Sequence, residues 1–173
     1  TNYRFPAQRK ANSFISKLHI MFIDTDLESI LSYLNKLTPD TKAQWGNMGA
    51  QRMVEHLTDT LQMATGKNPQ PLEIPEDKIE RMIGFLDSDK PMAQNISVPF
   101  ATPEMNSALR HDELELAIDE FVEEWLYFDE LFESEPGRTA IHPYYGALNY
   151  DQWIRLSQKH LTHHFQQFGL IKS

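Results

Sequence analysis

The sequence predicts an all-α protein, a helical bundle forming a single domain over residues 1–173 with its core between about 24 and 169. Two observations carry this. Apolar residues recur at helical spacing along most of the chain, and capping or breaking residues punctuate those runs where helices should start and stop. No segment shows a set of alternating strands, so the varied connections between helices indicate a bundle.

The first amphipathic run is Arg9 to Phe22, where Phe14, Ile15, Leu18, Met21 and Phe22 share one face. Asp24, Thr25 and Asp26 interrupt it, and Thr25 with Glu28 has capping-box spacing. Leu27, Ile30, Leu31, Leu34 and Leu37 then predict a second helix ending near Thr38, before Pro39. Trp45-Gly46-Asn47 reads as a turn with Asn47 as N-cap of a third helix, Met48 to Thr65. Met53, Val54, Leu57, Leu61 and Ala64 form its apolar face, and Gly66 stops it. Lys67 to Pro75 reads as a surface linker, Asp77 to Leu86 as a short connecting helix, and Ser88 to Thr102 as mostly irregular chain.

Asp112 is placed to cap a long helix in which Leu114, Ala117, Ile118, Phe121, Trp125, Phe128 and Phe132 hold helical spacing to about Glu133. Its Glu115, Asp119, Glu120, Glu123 and Glu124 read as a solvated outer face. Pro136-Gly137 and His142-Pro143-Tyr144-Tyr145-Gly146 are turns. Asn149 caps the last helix, Tyr150 to Phe168, with Gln152 in capping-box position and Gly169 as its end.

Histidines on that last helix carry the functional signal. With Trp153 taken as zero at 100° per residue, His160 lies at about −20° and His164 at about +20°. Both therefore point with Trp153 and Phe168 into the apolar face, while His163, at about −80°, falls at its edge. Two buried imidazoles repel if both are charged, and each needs a hydrogen-bond partner if neutral. A divalent metal resolves both problems, because neutral imidazole ligates zinc, nickel, copper and iron. A catalytic site usually has three protein ligands. His56, about 60° from Met53 on the third helix, is the best third candidate, with Asp and Glu residues as alternatives. Leu161 stands where a zincin would carry its glutamate, which disfavours that class of peptidase. His19 and His111 receive no functional reading. Trp45 either packs or lines a pocket.

Composition narrows the function classes. The net charge is −9 and no basic stripe offsets it, which disfavours nucleic-acid backbones and anionic membrane surfaces as partners. The absence of cysteine excludes disulfides, cysteine zinc sites and a thiol nucleophile of the chain's own. No apolar run reaches the ~20 residues of a membrane span. The expectation is a cytoplasmic protein, with any segment preceding Thr1 left open. The oligomeric state is not readable, and a homodimer is compatible with the pattern.

The stretch Leu37 to Leu57, containing Trp45-Gly46-Asn47 and ending in Glu55-His56-Leu57, resembles the first motif of the DinB-like (DinB/YfiT) metalloenzymes. His142-Pro143-Tyr144-Tyr145-Gly146, then Trp153, then Lys159-His160-Leu161-Thr162-His163-His164-Phe165-Gln166-Gln167-Phe168-Gly169, resembles the C-terminal motif of a branch of that superfamily catalogued as a domain of unknown function. The resemblance implies a four-helix bundle, here with extra N-terminal and short connecting helices, holding a metal at one end of its core. Its ligand pattern implies His56, His160 and His164 as ligands of a divalent ion, zinc or nickel. Better-understood members are thiol-dependent S-transferases and a thiol-dependent isomerase, whose metal holds a low-molecular-weight thiol as thiolate. Some proteins of the branch are labelled oxepin-CoA hydrolases, but nothing in this sequence encodes a CoA site.

The expected function is thus a metal-dependent enzyme acting on a small molecule, by thiol transfer or isomerisation or, alternatively, by hydrolysis. His142, Tyr144 and Tyr145 are the candidates for orienting substrate or moving a proton. Any thiol must come from solution. The rival class is a non-catalytic metal-binding helical protein, which a closed set of four ligands would favour.

Overall fold

Helix α1 (Leu27–Leu34) starts where Asp26 takes extended backbone and its carboxylate accepts the amide of Ser29. The cap is thus Asp26, one residue beyond the Thr25 that the sequence pattern suggests. A charged acceptor at a helix N-terminus also gains from the helix dipole. The α-helix ends at Leu34, before the expected Thr38, because past the Asn35 cap the amides bond three residues back, Lys36 to Tyr33 and Leu37 to Leu34. Leu37 still reaches the core. A computed structural model of the protein describes residues 22–95 and 108–172. The predicted helix from Arg9 to Phe22 lies, but for Phe22, outside the described residues.

Helix α2 (Ala50–Thr65) is buried on nearly every side. Its N-cap is Gly49, without a side-chain cap, rather than Asn47. Its end is the expected one: Gly66 adopts φ 80°, a left-handed conformation that costs glycine little. A 3-10 turn (Glu76–Lys78) leads into α3 (Ile79–Asp87). The long helix α4 (Leu114–Ser134) buries Leu114, Ala117, Phe121, Trp125, Phe128 and Phe132 along one stripe. Glu113, not Asp112, is its N-cap. Glu124 lies buried on the same helix, against the reading of its acidic residues as a solvated face. It is held there by Thr65 Oγ1 at 2.8 Å and Lys67 Nζ at 2.7 Å. Helix α5 (Tyr150–Gln167) opens with the predicted capping box of Asn149 and Gln152.

The fold departs from all-α at one place. Strands β1 (Ala140–His142) and β2 (Gly146–Leu148) form an antiparallel hairpin in the register Ala140↔Leu148, Ile141↔Ala147, His142↔Gly146. Strands of this length are too short for alternation to register in the sequence. The turn needs Gly146, whose φ is +79° and where a Cβ would stand 3.1 Å from Ile79.

The described chain is therefore mostly helical, with five α-helices and one small sheet. Helix α2 packs on α4 along its length, with α5 and the hairpin on its other sides, while α3 lies on α5 and α1 on α4. Their shared core includes Ile30, Met53, Val54, Phe121, Phe128, Leu148, Trp153 and Phe165. This packing sets the middle of α2 against the C-terminal half of α5. Among the described residues, no helix is long and apolar enough to cross a membrane.

Candidate metal centre

His56 projects from the middle of α2, and His160 and His164 from successive turns of α5. The three meet edge to face, with ring centres 4.7 to 5.0 Å apart. Nε2 of His160 is 2.9 Å from Nε2 of His56 and 3.0 Å from Nε2 of His164. One ligand atom from each ring falls within 4.8 Å of the others. Two nitrogens bound side by side to one zinc ion, at bond lengths near 2.0–2.1 Å, stand about 3.0–3.4 Å apart. The two short contacts are close to that spacing, while the set as a whole spans up to 4.8 Å, so a ring must turn inward for all three to bind one ion.

Burial keeps these rings neutral. It pushes His56 down to about 4, with Arg52 and His163 adding to the fall and Asp59 opposing it. His160 and His164 are held well below the ordinary imidazole range, by burial first and then by their histidine neighbours. Neutral imidazole is the ligating form. Hydrogen bonding among the rings alone is poorly satisfied, because one ring nitrogen is either a donor or an acceptor. Nε2 of His160 faces two other Nε2 atoms. Nδ1 of His164 already meets Oε1 of Gln167 at 2.7 Å. With Nε2 of His164 consequently bare, both contacts of His160 could be hydrogen bonds only by sharing one proton. A cation at the point of convergence satisfies all three lone pairs, so the donor set fits a divalent ion.

His142, at the end of β1, is half-buried beside this group. Its Nδ1 accepts the backbone amide of Tyr144 at 3.1 Å, which places its own proton on Nε2. Its ring centre is 5.7 Å from that of Trp153 and 4.8 Å from that of Tyr145. Burial, helped by His56, pushes it down to about 3. His142 in turn depresses His160. Tyr145 is buried between His142 and Phe85, and burial pushes its phenol up to about 12. Tyr144 is half-buried in the same turn, its phenol raised by burial and by Glu73. The structure thus brings the predicted metal residues into one cluster, with His142 next to it and the two tyrosines around His142.

His163 is not one of the three grouped donors, although its ring centre lies 5.0 Å from that of His164. Its ring meets the edge of Trp45, with centres 5.8 Å apart, and the backbone of Met92 lies beside it. His111 is paired with Glu120 at 2.8 Å. His19 lies outside the described residues. On the core side, behind His160, a cavity of ≈ 10 Å³ between Thr60, Trp153 and Ser157 has room for about one water.

Two residues close to the site escaped the sequence reading. Gln167 follows His164 by three positions and so shares its helix face, a signal that was available. Glu55 adjoins His56 and is completely buried. Its carboxylate accepts the amides of Arg110 at 2.9 and 3.0 Å and of His111 at 3.0 Å, with Arg52 Nη1 at 3.3 Å. Arg52 also pairs with Asp59. The pairing with Arg52 is local, but no local pattern announces the burial, because the amides that Glu55 accepts are remote in sequence.

A family model described as a protein of unknown function (DUF1569) matches residues 16–169. No curated protein matches the chain. No solved structure matches it either.

Proposed function

We propose, for a chain that belongs to the DUF1569 family of proteins of unknown function, a metal-dependent enzyme of the DinB-like four-helix type acting on a small molecule. The observation that carries this is the meeting of three neutral imidazoles, His164 buried and His56 and His160 half-buried, with their ligand atoms within 4.8 Å of one another. His56, His160 and His164 would hold the ion, with zinc or nickel suited to an all-imidazole set. When bound, a divalent ion supplies Lewis-acid chemistry, lowering the pKa of water or of a thiol toward neutrality.

The remaining steps belong to the chain's own residues. The cluster contains three donors and no fourth among the described residues, which supports an open site over a closed structural one. His142 serves as a hydrogen-bond donor. Its Nδ1 lone pair is engaged by Tyr144, and a ring held at about 3 does not carry a second proton at neutral pH. It therefore orients an electron-rich atom of the substrate through Nε2–H instead of shuttling protons as a free base. Tyr145, held as the neutral phenol, packs behind His142 and fixes its ring. Because the chain has no cysteine, a thiol co-substrate enters from solution. Thiol-dependent transfer or isomerisation is the reading carried by the family resemblance.

The test is cobalt substitution followed by addition of a small thiol. Thiol transfer predicts a new sulfur-to-cobalt charge-transfer band and turnover that requires the thiol. An unchanged spectrum on adding thiol would reject thiol-dependent chemistry at this site.

A further inference from the structure

The Gln44–Gly46 turn is unused by the chemistry above, yet it is fastened to the end of α5. The amide of Gln44 donates to the carbonyl of Gln167 at 2.7 Å. Nε2 of the Gln167 side chain donates to the carbonyl of Trp45 at 3.0 Å. Gly46 closes the turn at φ +75°, and a Cβ there would stand 3.1 Å from Gln167 Nε2. Gln167 is itself buried, and the other end of its amide lies 2.7 Å from Nδ1 of His164.

These contacts admit one arrangement of protons. A backbone carbonyl only accepts, so the NH2 of Gln167 must face Trp45 and its oxygen must face His164. That oxygen also only accepts, so Nδ1 of His164 must carry the hydrogen. In the neutral ring Nε2 is then bare, and Nε2 is the atom turned toward His160. The opposite tautomer would set two lone pairs against each other in a buried place.

We propose that the Gln44–Gly46 turn and Gln167 form a tautomer clamp on His164: the Trp45 carbonyl orients the Gln167 amide, which keeps the His164 proton on Nδ1 and its Nε2 lone pair free for a divalent cation. The proposal rests on the three-histidine reading of the site. Gln167 is a positioning residue that acts through His164. The turn acts through its backbone, so the Trp45 indole is not part of the clamp. Groups that hold the outer nitrogen of a metal-binding histidine commonly affect metal affinity roughly ten- to a hundredfold.

The test uses ¹⁵N-labelled protein stripped of metal, in which long-range ¹H–¹⁵N correlations show which His164 nitrogen is protonated. Zinc affinity is measured alongside by competition with a chelating dye. Wild type should show His164 protonated on Nδ1. Gln167→Met should lose that preference and bind zinc roughly ten- to a hundredfold more weakly. Trp45→Phe, which keeps the carbonyl, should match wild type. If Gln167→Met does not fold by circular dichroism, Gln167→Asn, too short to span both partners, takes its place with the same expectations. A wild-type His164 protonated on Nε2 overturns the clamp. So does a Gln167→Met protein with unchanged tautomer and affinity. A wild type that binds no zinc defeats the three-histidine reading, and the tautomer measured on the metal-free protein still decides the clamp.

Discussion

Replacing Glu55 with alanine should destabilise the protein severely although the residue is not a candidate ligand. The carboxylate is fully buried and receives the backbone amides of Arg110 and His111, with the Arg52 guanidinium beside it. Hydrogen bonds to a charged group contribute about 1.5–3 kcal/mol each. Removing the acceptor strands both amides and leaves Arg52 with Asp59 as its remaining carboxylate partner. Breaking a buried ion pair from one side costs about 3–5 kcal/mol, in line with the sum for the two amides. For a chain of this size each kcal/mol moves Tm by about 2–4 °C, so a fall on the order of 10 °C is expected. Urea unfolding at pH 7 gives the free energy directly. The segment released, residues 110–111, leads into α4, the helix that packs on the one carrying His56. The Glu55→Ala protein should therefore also bind metal less tightly. A loss below about 1 kcal/mol would mean that Glu55 contributes no more than an exposed pair.

Acid should destabilise the metal-free protein. His56 and His142 have folded values near 4 and 3 against about 6.5 when unfolded, so the unfolded chain binds more protons as pH falls. Stability conferred by keeping them neutral is full above about 6.5 and declines toward pH 4, at about 1.5–2 kcal/mol for each between pH 7 and 5. A flat urea midpoint over that interval would contradict this. Gly146→Ala should cost about 1–3 kcal/mol, through its positive φ and the contact with Ile79, and should perturb the environment of His142 as seen by NMR. Calorimetry that finds it neutral would remove the strained turn from the account. With a net charge of −9, the protein should show no salt-sensitive, sub-micromolar complex with duplex DNA in an anisotropy titration.

Much of the helical scaffold was legible because its signals are local. The Asn149–Gln152 capping box and the Gly66 stop each depend on residues within a few positions, and both stand where the pattern puts them. The shared face of His160 and His164 follows from helix rotation alone. What was not legible depends on distant partners. The hairpin around Pro143 consists of strands too short to alternate and is fixed by Gly146 packing on Ile79. Glu124 reads as an exposed charge until Thr65 and Lys67 reach it from α2 and its C-terminal turn. Glu55 is hidden for the same reason. Asn47 and Asp112 look like caps, but the helices begin after Gly49 and Glu113, whose side chains make no capping bond. The tautomer of His142 was not legible although its partner, the Tyr144 amide, is only two residues away, because it depends on how the ring is turned in the hairpin.

Whether His56, His160 and His164 hold one divalent ion is decided by elemental analysis of untagged protein. Wild type should carry a single zinc or nickel ion per chain, and His160→Ala and His164→Ala should each lose it while remaining helical by circular dichroism. Metal retained at wild-type stoichiometry in both variants would contradict this ligand set.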